Sequence, residues 1–218
     1  MKCKHLLVVF AMLMGACNER QHLESKNGFA VVVPAKPGEA VATYAGGCFW
    51  AMQECLLELK GVNKVISGYA GGTTPDPSYE QVVSGKTGHA ESVQVYYNPK
   101  VISFERLTAA FFNAHDPKQA DRQGPDVGTD YRSIAFYRSE AEERIIRNKI
   151  SELDSLNGYV TPVATEVTGF KVFYPAESHH QDYYRRNSWD YYIRNVSRPK
   201  VIKLRKTMPE LIKPEYKD

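Results

Sequence analysis

Residues 41–60 read VATYAGGCFWAMQECLLELK, and the change of rhythm inside them sets the architecture. VATYA alternates apolar and polar positions, as a strand does. Gly46-Gly47 breaks the alternation. From there Phe49, Met52, Leu56 and Leu59 recur at helical spacing until Gly61 stops the run. A strand turning sharply into a helix puts Cys48 at the helix N-terminus. Unpaired backbone N–H groups and the helix dipole favour negative charge there, so a thiol of lowered pKa is expected. The two glycines allow the turn and keep the sulfur uncovered, and Phe49 and Trp50 would wall an apolar pocket beside it. The competing reading makes Cys48 a small buried hydrophobe among core aromatics.

The same alternation of periods runs along the chain. VNKVISGYA (62–70) and ESVQVYYN (91–98) read as strands, separated by the glycine- and proline-rich loop around GGTTPDP (71–77). SFERLTAAFFNAH (103–115) is a helix capped by Ser103. A long polar loop follows at 116–130, then a strand in YRSIAFY (131–137). SEAEERIIRNKISELDSL (139–156) is an amphipathic helix in which Ser139 and Glu142 have capping-box spacing. TPVATEV (161–167) and KVFYP (171–175) read as short strands, and AESHHQDYYRR (176–186) as a helix start. With no internal repeat, the simplest reading is one α/β domain, a mixed sheet with helices packed on it.

The chain of 218 residues carries a formal charge of +3, with 43% hydrophobic and 24% charged residues. That is an ordinary globular composition, and it gives no reason to expect a nucleic-acid partner. From Arg198 on, seven basic residues face three acidic ones, which reads as a solvated helix packed on its own domain.

The N-terminus is read separately. Lys2 and Lys4 precede an apolar run, Leu6 to Ala16, which is too short to span a bilayer and has the form of a secretory leader. Gly15-Ala16 before Cys17 resembles a bacterial lipobox. The expectation is therefore a leader at 1–16, lipid attachment at Cys17, a tether at 17–40, a catalytic domain at 41–206 and a tail at 207–218. The protein would be exported to the cell envelope and held at the membrane surface by its acyl chains. Cys48 and Cys55 then remain as thiols, too few for a disulfide framework.

Other residues invite chemistry. Glu91 follows the turn GKTGHA and enters a strand. On an inward face it would be desolvated, with a raised pKa suited to a general acid; on an outward face it is an edge glutamate. Tyr79 and Tyr131 each follow a turn and are placed to set a phenol over a pocket, or to sit half-buried like many of the 14 tyrosines. Glu177, His179 and His180 lack the three well-placed ligands of a metal site, and no metal is expected. If Cys48 were instead the nucleophile of a hydrolase, His89 or His180 would be its base.

Taken together, GGCFW (46–50), GYAGG (68–72), PSYEQVVSGKTGHAE (77–91), NAHDP (113–117), RQGPDVGTDYRS (122–133) and AESHHQDY (176–183) resemble the A-type peptide-methionine sulfoxide reductases. The resemblance implies a two-layer α/β sandwich related to the ferredoxin-like plait. It implies thiol-dependent reduction of methionine S-sulfoxide, free or in oxidised proteins, by a monomer without a cofactor. Cys48 would be the nucleophile and Glu91 the proton donor. Tyr79 and Tyr131 would hold the sulfoxide oxygen, and Phe49 and Trp50 the substrate methyl. Asp126 and His180 fall near the same site.

The sequence departs from this pattern in one respect. Many relatives carry recycling cysteines near the C-terminus, whereas NSWDYYIRN (187–195) has Tyr192 and Ile193 there, and no cysteine follows Cys55. Cys55 lies seven residues after Cys48, about 10.5 Å along a helix axis, beyond the roughly 7 Å that a disulfide spans between Cα atoms. A one-thiol enzyme recharged by an external reductant, such as a thioredoxin-like protein, is expected, with Cys55 as packing.

Overall fold

The computed structural model describes residues 23–156 and 161–217. The expected leader and the lipid-attachment cysteine, Cys17, lie outside the described residues. Among those described, no helix is long and apolar enough to cross a membrane.

A short hairpin, β1 (Ser25–Lys26) and β2 (Phe29–Ala30), leads into β3 (Ala40–Gly46), α1 (Phe49–Leu57) and β4 (Val62–Ala70). Next come α2 (Tyr79–Val83), β5 (Ala90–Tyr97) and α3 (Phe104–Ala114). The long polar loop contains a second small hairpin, β6 (Arg122–Gln123) and β7 (Asp126–Val127), and a 3-10 turn at Thr129–Tyr131. Then follow β8 (Ser133–Tyr137), α4 (Glu140–Leu156), β9 (Glu166–Gly169) and β10 (Phe173–Pro175). A short α5 (Tyr183–Arg186), a π-helical turn (Ile193–Ser197) and α6 (Arg198–Thr207) complete the fold.

Six strands form one mixed sheet in the order β10-β4-β5-β3-β8-β9. Every neighbouring pair is antiparallel except β8 and β9. The period of two in the central strand β5 sends Val93, Val95 and Tyr97 to the helix-covered face and Ala90 and Tyr96 to the other. Glu91 shares parity with Val93 and is buried, so it points toward the helices. The opposite face is covered in part by residues before β3: Ala30 packs there, and the Tyr96 hydroxyl donates to Val33 O at 2.8 Å.

The caps are local. Ser103 Oγ accepts the Arg106 N–H at 3.2 Å, and Ser139 Oγ accepts the Glu142 N–H at 3.3 Å. The Glu142 carboxylate reaches past its cap to the Arg138 N–H at 2.6 Å rather than closing a box on Ser139.

Helix α1 is buried on nearly every side, not along one face. Its polar residues are therefore dry and need partners. Gln53 donates to Val65 O at 2.9 Å and accepts the Asp182 N–H at 2.9 Å. Glu54 pairs with Arg185 at 2.7 Å, with both side chains less than a tenth exposed. Glu58, just past the helix end, takes both prongs of Arg205 at 2.7 and 2.8 Å. The C-terminal segment thus clamps the helix that begins at Cys48. Leu211, Ile212 and Tyr216, beyond the expected domain end, are buried in the same core.

Candidate functional site

The turn between β3 and α1 is built for close approach. Gly47 has φ +80°, and a Cβ there would lie 2.5 Å from Gln123 Cβ; a Cβ on Gly46 would lie 2.5 Å from Met52 Cε. Gln123 is itself fixed, exchanging hydrogen bonds of 2.9 and 3.0 Å with the backbone of Asp116. The turn delivers Cys48 to the N-cap position of α1, as the change of rhythm predicted. The Cys48 side chain makes no capping bond. Glu91 supplies one from across the sheet, its Oε2 accepting the Phe49 N–H at 2.9 Å.

Cys48, Glu91, Tyr79, Tyr131, Asp126 and Trp50 line one cavity of about 320 Å³. Tyr79 starts α2 behind the capping box of Ser78 and Gln81, and its N–H donates to Glu177 Oε1 at 2.9 Å. Tyr131 ends the 3-10 turn, and it lines the same cavity as Tyr79. Asp126 comes from β7. The structure places Phe49 and His180 behind this lining. Phe49 is buried, with ring centroids 5.3 Å from His180 and 6.0 Å from Tyr69. His180 packs 4.5 Å from the Tyr79 ring, and neither of its nitrogens has a hydrogen-bond partner among the described residues. Burial holds its pKa down at about 4, so it is a neutral ring at physiological pH.

Three further residues complete the lining: Tyr183, Asp190 and Tyr192. Tyr183 lies flat on Trp50, with centroids 3.8 Å apart and planes 11° from parallel. Tyr192 stands edge-on to Trp50 at 5.8 Å and donates its hydroxyl to Asp126 Oδ2 at 2.5 Å. Sequence reading gave none of the three a role. Tyr183 closes the AESHHQDY motif, a signal available in principle; Asp190 and Tyr192 carry no periodic or spacing signal.

Burial pushes the Glu91 carboxyl up to about 8; the negative charges of Asp130 and Asp126 add to this, and the Phe49 N–H and Lys200 oppose it. Glu91 is therefore protonated at neutral pH and able to donate. The Tyr79 phenol is pushed up to about 12 by burial and by Glu91. The Cys48 thiol departs from expectation. Burial pushes it up, and so does Glu91 when ionised, while the Trp50 N–H, the Tyr192 hydroxyl and Lys200 pull it down. Desolvation outweighs the helix terminus, so the free protein holds a neutral thiol.

Cys55 is a fully buried free thiol within α1, also pushed up by burial. His89 is committed elsewhere, its Nδ1 accepting the Gly72 N–H at 3.1 Å and its Nε2 bonded to Thr74 O at 2.8 Å. Neither it nor His180 lines the cavity with Cys48, which leaves a hydrolase reading without its base. No group of side chains among the described residues could hold a metal ion. A larger open cleft of about 620 Å³ is lined by Phe112, Asn113, Lys149 and Lys200 among others and contains no cysteine.

The arrangement sets a thiol, a neutral carboxylic acid and paired phenols around a small aromatic-walled space. It suits attack on a centre bearing an oxygen that must be protonated before it can leave.

Comparison with known proteins agrees with this chemistry. The family model described as Peptide methionine sulfoxide reductase matches residues 40–211. The chain is 46% identical over 176 residues to the peptide methionine sulfoxide reductase MsrA of Thermus thermophilus, covering 81% of this chain and 99% of that protein. It is 44% identical over 173 residues to the Natronomonas pharaonis MsrA, covering 79% and 97%. Among solved structures, reduced Mxr1 from Saccharomyces cerevisiae superposes with a TM-score of 0.67 at 36% identity, covering 72% of this chain and 91% of that one. Methionine sulfoxide reductase A of Corynebacterium diphtheriae gives 0.65 at 31% identity, covering 72% and 78%.

Proposed function

This chain belongs to the peptide methionine sulfoxide reductase family, and we infer that it repairs oxidised methionine with Cys48 as its nucleophile. The observation that carries the assignment is the single cavity holding Cys48 beside a protonated Glu91 and the phenols of Tyr79 and Tyr131. A sulfoxide oxygen leaves only once protonated. Glu91 gives that proton while the phenols hold the oxygen. The Cys48 sulfur attacks the sulfoxide sulfur, and methionine departs reduced by two electrons. As the transient S–S bond opens, the substrate S–O bond breaks and the oxygen, now carrying the Glu91 proton, passes to the Cys48 sulfur, leaving it a sulfenic acid oxidised by two electrons. Trp50 and Tyr183 wall the methyl side, which selects the S epimer. Phe49 and His180 support that wall from behind.

The sulfenic acid then needs a thiol. Cys55 sits in the body of α1, with the helix running unbroken from Phe49 to Leu57. We infer that the second thiol comes from outside, from a thioredoxin-like protein or a small thiol. The lipobox-like run before Cys17 supports an envelope location with clients exposed to external oxidants. Fatty-acid labelling of the full chain and its Cys17→Ala form tests this; an unlabelled wild type rejects the anchor. A monomer is the expected form, checked by light scattering.

The decisive test follows the S- and R-sulfoxide of a peptide methionine with excess dithiothreitol, in wild type and Cys48→Ser. Loss of the S epimer alone, absent in the variant, is expected. No turnover of either epimer by folded wild type refutes the assignment.

A further inference from the structure

The buried Cys48 thiol needs a base, and Glu91 must keep its proton for the sulfoxide oxygen. Of the other carboxylates around the cavity, Asp190 is occupied, its Oδ1 accepting the Tyr192 and Ile193 N–H groups at 2.8 and 3.1 Å. Asp126 is placed differently. Its Oδ2 accepts the Tyr192 hydroxyl at 2.5 Å, and Tyr192 and Asp126 line the same small cavity as Cys48, where the Tyr192 hydroxyl is one of the groups that favour the thiolate. We propose that Cys48, Tyr192 and Asp126 form a proton relay, with Asp126 as the base that activates the thiol through the Tyr192 hydroxyl.

This rests on Cys48 being the nucleophile. The geometry of the bridge is fixed from two sides. Asp190 pins the Tyr192 backbone, and the Trp50 ring meets the phenol edge-on. In the step, the Cys48 S–H bond breaks and its proton passes to the Tyr192 oxygen. The phenol's own proton passes to Asp126 Oδ2. Tyr192 stays neutral and turns its new O–H toward the thiolate, replacing the hydration that burial removed. Asp126 becomes a neutral acid. Glu91 meanwhile donates to the departing oxygen, and the proton on Asp126 restores Glu91 once the sulfenic acid has formed. One proton leaves the thiol and one ends on the sulfenic oxygen, so the cycle balances.

The hydroxyl has a further consequence for the product. A sulfenic acid on Cys48 lies against Tyr192 rather than against a second cysteine, so it is held by hydrogen bonding until an external thiol arrives.

The test measures alkylation of Cys48 by iodoacetamide across pH, read by peptide mass spectrometry, in wild type, Tyr192→Phe, Asp126→Asn and the double variant. Phe keeps the ring against Trp50 and removes only the bridge. Each single variant is expected to slow alkylation and single-turnover sulfoxide reduction by about 100-fold, the size of one general-base contribution. KM should hold, and the alkylation midpoint should move to higher pH. The double variant should be no slower than either single, since the two groups act in series. A Tyr192→Phe protein that alkylates at the wild-type rate, or losses that multiply in the double variant, would overturn the relay. The series pattern among the variants in alkylation, together with a folded wild type that reduces no sulfoxide, would keep the relay and reject the functional assignment.

Discussion

Glu91 and Phe49 are joined by one hydrogen bond: the carboxylate on a central strand accepts the first N–H of the helix that begins beside Cys48. The proton donor and the nucleophile are therefore held in fixed relation through the backbone, and the same bond is one of the pulls that keeps the Glu91 pKa from rising further.

Glu91→Gln keeps an oxygen for that N–H and loses the proton. Single-turnover reduction should fall by about 100-fold or more, with the protein still folded. In wild type the rate should decline as pH rises through about 8, as Glu91 ionises. Stopped-flow reduction across pH, in both proteins, measures this; a variant with unchanged rate removes Glu91 from the chemistry.

Linkage gives a second reading of the same residue. The folded pKa of Glu91 lies above its unfolded value, so the native state binds the proton more tightly. Its contribution to stability is complete below the unfolded pKa and is lost as pH rises through about 8. The melting temperature of Glu91→Gln should therefore gain on wild type between about pH 4.5 and 8, a difference that cancels the parallel effect of buried Glu54. Calorimetry at several pH values suffices, and a pH-independent difference contradicts the burial argument.

Arg185→Met strands Glu54 in the core. Removing one partner of a buried pair costs about 3–5 kcal/mol, whereas replacing both, as in Glu54→Leu with Arg185→Met, should recover much of it. Urea unfolding of the three variants decides. Equal losses for single and double would mean that the pair is worth its full Coulombic attraction.

Gly47→Ala forces a Cβ to 2.5 Å from Gln123 Cβ at a positive φ. A loss of about 1–3 kcal/mol is expected, with Cys48 displaced and reduction slowed. Denaturant melts paired with turnover separate the two effects.

One turnover without reductant should leave Cys48 one oxygen heavier and trappable by a sulfenic-acid probe. A disulfide between Cys48 and Cys55 would show instead that α1 unwinds during catalysis.

The elements near the cysteine were legible because their signals are local. The glycine pair, the switch of period and the capping serines each act within a few residues, and β4 runs over the nine residues read as a strand. The order of strands was not legible, since it depends on which distant segments pair. The fate of the thiol was misread for the same reason. A helix terminus is visible in sequence; the burial that outweighs it comes from segments far along the chain, from Tyr79 to Tyr192. Tyr192 belongs to that distant set, and its contact with Asp126 exists only once the fold has closed. The extent of α1 burial was hidden likewise, because Arg185 and Arg205 give no sign in sequence of which carboxylates they meet.

The clamp on α1 carries an implication for biosynthesis. The chain emerges from the ribosome N-terminus first, so Cys48 is made well before Arg185 and Arg205. Until those residues arrive, Glu54 and Glu58 have no counter-charge and α1 has no complete shell. The cavity around Cys48 also lacks Tyr183 and Tyr192. A nascent chain that stops short of these residues therefore exposes an ordinary cysteine, and the reactive centre comes into being only once the segment from Tyr183 to Arg205 has been made.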